Sequence, residues 1–285
     1  MKRLIINADD VGADEARNAG IFEAAVNGIV TSVSILANGP AFDDAIKHIR
    51  LSSKNDVSYG IHINLSEGRP ISSGLRIITG SDGLFLGKSF AIELFSRNNG
   101  QAFEKDIITE IDAQMKMLIN AGIKVSHIDG HHHIHIFPAV INATISVAKR
   151  YNIPWIRIPD EKTPSYDGLS VNSEIISEAG LFNGFGSKAR PLINATGIDT
   201  TEHFRGLYLK GRLSLPILEE FFKKLPDGLT EFMTHPGNAV KEGVHGYFTR
   251  FSTPDREKEL KTLLHPGFRE MIEKYNIILT PFPEV

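Results

Sequence analysis

A chain of 285 residues with 41% apolar content is long enough to bury about three-quarters of the surface its unfolded form exposes, in one large domain or two modest ones. Its net charge of −3, with no basic tract and no basic–aromatic stripe, argues against nucleic acid as a partner. Cysteine is absent, so disulfides and thiolate metal sites are excluded, and any metal must be held by His, Asp, Glu or backbone oxygen.

The chain opens on MKRLIINADD, where charged residues follow a very short apolar run. This segment lacks the apolar core and small-residue cleavage site of a secretory signal. No uninterrupted apolar run of about 18 residues follows, so no membrane span is expected. A soluble, cytoplasmic protein is the default expectation.

In chain order, RLIINA (3–8) predicts a strand and 14–28 a helix; SVSILAN (32–38) predicts a strand and 40–51 a helix. VSYGIHINL (57–65) reads as a third strand, followed by a Gly- and Ser-rich stretch over 66–100 read as a long loop. A helix over 103–121 leads to a strand over 125–133, a helix over 138–151 and a strand over 155–159. Residues 160–203 carry Pro, Gly, Ser and Asn with weak periodicity and read as a second long loop. A helix over 214–224, a strand over 230–235, a helix over 255–274 broken at Pro266, and a strand over 277–282 complete the chain. Strands alternating with helices of this length predict βαβ units and a parallel sheet. Six or more such units favour an α/β fold of (β/α) barrel-like form, taken as a single domain over 1–285. A doubly wound open sheet is the alternative.

Polar residues gather at the predicted strand ends. Asn7, Asp9 and Asp10 close the first strand, His62 and Asn64 the third, Arg157 the fifth, and His235-Pro236-Gly237 the sixth. Active sites in such folds lie at the carboxyl ends of the strands, so these groups are expected to converge on one mouth. Adjacent carboxylates on an extended backbone point to opposite faces, so Asp9 and Asp10 share a direction only if the strand has begun to turn, as Gly12 suggests. Asp14 is read as the helix cap. His265, in a second HPG, is read as structural, with Pro266 starting a helix.

The stretch HIDGHHHIHIFP (127–138) holds five of the 11 histidines. On a strand, 127, 129, 131, 133 and 135 share one face, though Phe137-Pro138 ends the strand and is expected to turn His135 away. So much buried imidazole needs a metal, a carboxylate or water as partner. Asp129 is placed to orient an imidazole through its other nitrogen. His133 and His135 are read as pocket-lining or as partners of the ligands, His127 and His132 as structural.

Neutral imidazoles plus one carboxylate make a site for a divalent metal with open positions. Such a site polarises a carbonyl and activates water, while a second carboxylate serves as base and a separate histidine as acid. One of Asp9 and Asp10 is then a ligand and the other the base. His62 and one histidine of 131–133 complete the ligands, and His235 is the acid. The residues alone leave amide, ester and phosphoester hydrolysis open.

The motifs NADDVG, GIHINL, HIDGHHHIHIFP and MTHPG, in this order and spacing, resemble the YdjC-like family of carbohydrate deacetylases over nearly the whole chain, including REKEL near the C-terminus. The resemblance implies a (β/α) barrel-like fold related to polysaccharide deacetylases, a magnesium ion, and removal of acetyl from a small N-acetylated saccharide such as a chitooligosaccharide. It implies Asp10, His62 and His131 as metal ligands, Asp9 as base and His235 as acid. Arg157 would support the substrate carbonyl or the base. Val11 stands where Phe is common, a departure that removes no reactive group. By donor preference, two imidazoles and a carboxylate suit zinc better than magnesium, so Zn2+ is the alternative. Competing readings are a metal-dependent hydrolase of another amide or a phosphoester, and a non-catalytic metal- or sugar-binding relative. No phosphate cradle such as GxxxxGK[ST] supports the phosphoester. A homodimer is compatible with the sequence.

Overall fold

The computed structural model describes residues 1–52, 57–97, 100–240, 246–248 and 252–283. The elements are β1 (Lys2–Val11), α1 (Glu15–Val26), β2 (Ser32–Ile35), α2 (Phe42–Leu51), β3 (Ser58–Ile63), α3 (Lys88–Ser96), α4 (Gly100–Asn120) and β4 (Val125–Gly130). A 3-10 turn (His131–Ile136) then leads to α5 (Ile141–Tyr151), β5 (Trp155–Ile156), α6 (Ser173–Asn194), β6 (His203–Arg205) and α7 (Leu215–Lys223). The chain continues through β7 (Gly228–Thr234), α8 (Pro254–Leu264) and α9 (Pro266–Lys274) to β8 (Ile277–Leu279).

Every strand pairing is parallel, in the order β5-β4-β3-β2-β1-β7-β6, with β8 alongside the start of β1. The two edges meet. The Ile156 amide donates to the Asp199 carbonyl at 3.0 Å, the Asp199 amide donates to the Pro154 carbonyl at 2.8 Å, and the same segment continues into β6. The sheet therefore curls into the (β/α) barrel-like form, not the open doubly wound one. Leu4, Ile6, Val33, Ile61, Ile128 and Phe232 are fully buried from five of its strands, and helices cover the outside. The strands alternate these apolar residues with buried polar ones such as Ser34, His62, His127, Asp129 and Glu231.

Asp14 caps α1 by accepting the Arg17 amide, and His265 caps α9 by accepting that of Gly267. Gly60 on β3 has no substitute: a Cβ there would lie 2.2 Å from the His127 ring of β4. His127 can thus pack flat against the sheet interior.

Three expectations need correction. The stretch 160–203 contains α6 and approaches β6; α6 buries Ala179, Phe182, Gly186, Ala189 and Ile193. Their spacing of three and four is helical, but small residues disguise it. The stretch 66–100 contains the whole of α3, and residues 98 and 99 of it lie outside the described residues. Finally, the fourth strand ends at Gly130, before the three consecutive histidines. His132 and His133 adopt left-handed φ of 54° and 52°, so the chain turns sharply there and the face expected to carry 127, 129, 131 and 133 is broken.

Candidate active site

At the carboxyl end of β1 the backbone does what two adjacent carboxylates require. Pairing runs from Ala8–Val33 to Val11–Ile35, so β1 advances three residues while β2 advances two. This is a one-residue bulge. Asp10 sits within it at φ 68°, a left-handed conformation that costs a non-glycine residue about 1–3 kcal/mol. The bulge brings Asp9 and Asp10 to the wall of one pocket, which His62, His131, His132, His133 and His235 also line.

Asp10 Oδ1 lies 2.8 Å from His131 Nδ1 and 3.3 Å from His62 Nε2. Its other oxygen accepts a 2.7 Å hydrogen bond from Arg17, which leaves Oδ1 facing the imidazoles. Each imidazole is backed on its far nitrogen by a carboxylate. His62 Nδ1 is 2.7 Å from Asp129 Oδ1, and His131 Nε2 is 3.1 Å from Glu67 Oε2. Asn64 builds the turn that presents Glu67, its side-chain oxygen accepting the amides of Ser66 and Glu67. The three donor atoms lie within 4.8 Å of one another and are buried. Two imidazoles and a carboxylate, each oriented from behind, fit a divalent cation in chemistry and arrangement. Two overlapping sets, Asp9–His62–Asp129 and Glu67–His131–His132, also bring donors together. Arg157 already occupies Asp9 and Asp129, which leaves the Asp10 set and the Glu67 set, which share His131, open to a cation.

Arg157 is fully buried beneath this centre. It donates to both oxygens of Asp9 at 2.7 Å, to Asp129 at 2.7 Å and to Glu231 at 2.7 Å. Its guanidinium reaches Asp9 and not the pocket, so of its two expected roles the structure leaves support of the carboxylate rather than of a substrate carbonyl. Asn7 adds a 2.7 Å hydrogen bond to Asp9 Oδ1 and donates to Ser34, which in turn donates to Asp129 at 2.6 Å. Asp9 lines the pocket, and its Oδ2, which accepts from Arg157, retains capacity for a further hydrogen bond.

The electrostatics follow from burial and these partners. Burial disfavours a charged His62, but Asp129, Asp9 and Asp10 outweigh it and push its pKa up to about 10. Burial likewise opposes the Asp10 anion, and His131, His62 and Arg17 overcome it and hold the carboxyl well below the usual range. Burial keeps His127 neutral, with a pKa pushed down to about 3. At Glu231 burial dominates over Arg157 and raises the carboxyl to about 7. His235 is held well below the ordinary imidazole value by burial, with Lys210 and Arg256 adding to it.

The lesser histidines separate. His133 lines the pocket, edge-on to Phe182 at 4.7 Å. His132, expected to be structural, is also in the pocket wall, its ring tilted 40° to that of His131 with centroids 4.0 Å apart, and 3.2 Å from the Ser66 hydroxyl. His135 turns away, donating at 3.0 Å to the Arg157 carbonyl. His127 stacks on Phe282 at 4.0 Å. Sequence reasoning missed Glu67, Arg17 and Glu231. Arg17 carried no sequence signal: it sits in EARNAG at the polar start of α1, and only its burial at 1% exposure marks it as an arginine with a buried partner.

A family model described as YdjC-like protein matches residues 3–274. A protein from Thermoanaerobacter pseudethanolicus named carbohydrate deacetylase is 30% identical over 284 residues, covering 99% of this chain and 98% of its own. One of the same name from Clostridium beijerinckii is 29% identical, covering 99% and 100%. A crystal structure from Enterococcus faecalis V583, of a protein named for cellobiose-phosphate cleavage, superposes with a TM-score of 0.75 at 23% identity, covering 99% of this chain and 97% of its own. That likeness concerns the fold. No described helix is long and apolar enough to cross a membrane.

Proposed function

The chain belongs to the YdjC-like protein family, and we propose that it is a metal-dependent carbohydrate deacetylase, hydrolysing the acetamide of N-acetylated sugars such as chitooligosaccharides. One observation carries the reading. The donor set of Asp10, His62 and His131 shares a pocket with a separately held carboxylate, Asp9, and a separate imidazole, His235. The full-length relatives named carbohydrate deacetylase direct it to sugars.

Asp10, His62 and His131 are the residues that would hold the ion. A bound divalent cation supplies Lewis acidity towards the acyl oxygen and a lowered pKa for water. Asp9, fixed by Arg157 and Asn7 in the pocket wall, accepts the proton of the attacking water. Arg157 serves by orientation, because a base displaced by about 1 Å loses about 100-fold in rate. His235 rests as a neutral imidazole; negative charge developing on the substrate raises its proton affinity, so it takes up a proton from solvent and passes that proton to the departing amine nitrogen, while Asp9 later returns the water's proton to solvent. The resemblance points to magnesium and the nitrogen-rich donor set to zinc.

The test is acetate release from diacetylchitobiose and N-acetylglucosamine after chelation and again after adding magnesium or zinc. Acetate restored by one metal and not by chelated protein is the expected result, and it identifies the ion. Activity indifferent to chelation would remove the metal from the reading. Turnover of phosphorylated but not N-acetylated substrates would replace the deacetylase by a phosphoesterase.

A second expectation comes from His62. Its pKa of about 10 means that, without metal, a proton stands between His62 and Asp10 at neutral pH. The cation must displace it, so binding releases about one proton near pH 7 and affinity rises about tenfold per pH unit below 10. Titration calorimetry in buffers of different ionisation enthalpy reads this directly. Zero proton release would show that the ion binds elsewhere.

A further inference from the structure

Helix α8 contains REKEL, a stretch that the proposed chemistry leaves without a role. Its buried residues are Arg256, Glu259, Leu260 and Leu263. Their spacing puts them on one helix face, so two charged side chains sit where an amphipathic helix places apolar ones. Such burial is costly without strong partners.

The partners are the peptide groups on either side of His235. The His235 amide donates to Glu259 Oε1, and the His235 carbonyl accepts from Arg256 at 3.1 Å. Glu259 Oε2 accepts the Gly211 amide at 3.3 Å and lies 3.7 Å from Arg256, so the two charges also hold each other. The Gly237 amide donates to the Arg256 carbonyl at 3.3 Å. From the opposite side, α1 presses on the same turn: a Cβ on Gly20 would lie 2.6 Å from the Gly237 Cα.

The His235 ring is not held in this way. Its Nδ1 is buried and has no hydrogen-bond partner among the described residues. His62 and His131 are aimed by carboxylates on their far nitrogens; His235 is aimed through its backbone. We infer that Arg256 and Glu259 are positioning residues for His235, fixing its peptide so that the imidazole meets the leaving group. This rests on the reading of His235 as the acid.

The test is a double-mutant cycle on the metal-loaded enzyme: wild type, Glu259→Gln, His235→Ala and the double variant, with kcat, KM and metal Kd for each. Glutamine keeps the shape but offers one acceptor oxygen to two amides. Glu259→Gln is expected to lower kcat about 10–100-fold, with KM and metal Kd within about twofold of wild type. On the His235→Ala background the same change is expected to cost less than about threefold, because a positioning residue has nothing left to position. An undiminished loss on that background, or a loss that appears in KM or metal Kd, would make the pair a structural clamp and overturn the inference. A loss below about tenfold in His235→Ala alone would remove the acid, and the positioning role with it, which is a failure visible separately from additivity. If Glu259→Gln does not fold, Arg256→Met and Arg256→Lys run through the same cycle. Lysine, which keeps a donor for the His235 carbonyl, is expected to recover most of the kcat that methionine loses, and equal losses would count against the role.

Discussion

Asp9→Asn is expected to lower kcat by about 10²–10⁴-fold, the usual worth of a general base, while metal affinity stays within about threefold because the ion's donors are untouched. The separation is the informative part. Asp9 is buried 2.7 Å from two nitrogens of Arg157 and one of Asn7, so asparagine must turn its amide nitrogen towards one of these donors. The clash costs about 1–3 kcal/mol of stability, small enough for the variant to be assayed folded. Asp9 also belongs to a donor set with His62 and Asp129. Loss of metal binding in Asp9→Asn would therefore exchange the roles of the two aspartates. Retention of more than about a tenth of wild-type kcat would dismiss Asp9 as base.

The paired aspartates show how far sequence carries the site and where it stops. An apolar strand ending in Asp9-Asp10-Val11-Gly12 announced both the carboxylates and the need for a turn, and the bulge with Asp10 at φ 68° is that turn. The histidine stretch was legible in composition but not in shape. The stretch from 125 to 133 reads as a strand, and no glycine or asparagine at 132 or 133 marks these residues as ones that adopt positive φ. The residue that orders it from outside, Glu67, comes from a loop after β3, and a loop residue carries no periodic signal. Helix α6 hid for a related reason. Its inward face uses Ala179, Gly186 and Ala189 where a reader looks for large apolar side chains, and it contains Pro191. The parallel sheet and the convergence of strand ends were readable because they depend on patterns repeated along the whole chain.

Arg157→Met is expected to destabilise the protein by about 3–5 kcal/mol at neutral pH, the cost of removing one partner from a buried charge cluster, and to lower Tm on the order of 10 °C. Asp9, Asp129 and Glu231 all bond to this guanidinium, and the last two are fully buried. The pH dependence identifies the cause. In the wild type, burial opposes the Asp129 anion, but Arg157, His62 and His127 outweigh it and hold the carboxyl far below its ordinary value. A carboxyl depressed in the folded state contributes stability above its unfolded pKa of about 4 and loses it as pH falls through the folded value. Without Arg157, burial dominates and raises the folded pKa of the orphaned carboxyls. A carboxyl raised in the folded state keeps its contribution below the unfolded pKa and loses it as pH rises through the folded value. Glu231, already near 7 with the arginine present, shows the direction. The stability gap between wild type and variant is therefore expected to be largest at pH 7–8 and to narrow towards about pH 5, where the orphaned carboxyls take up protons. Denaturant unfolding of both proteins across that range decides it. A gap that is constant with pH would mean that Arg157 stabilises by packing, and one that widens on acidification would mean that the carboxylates beneath the pocket find other partners once it is gone.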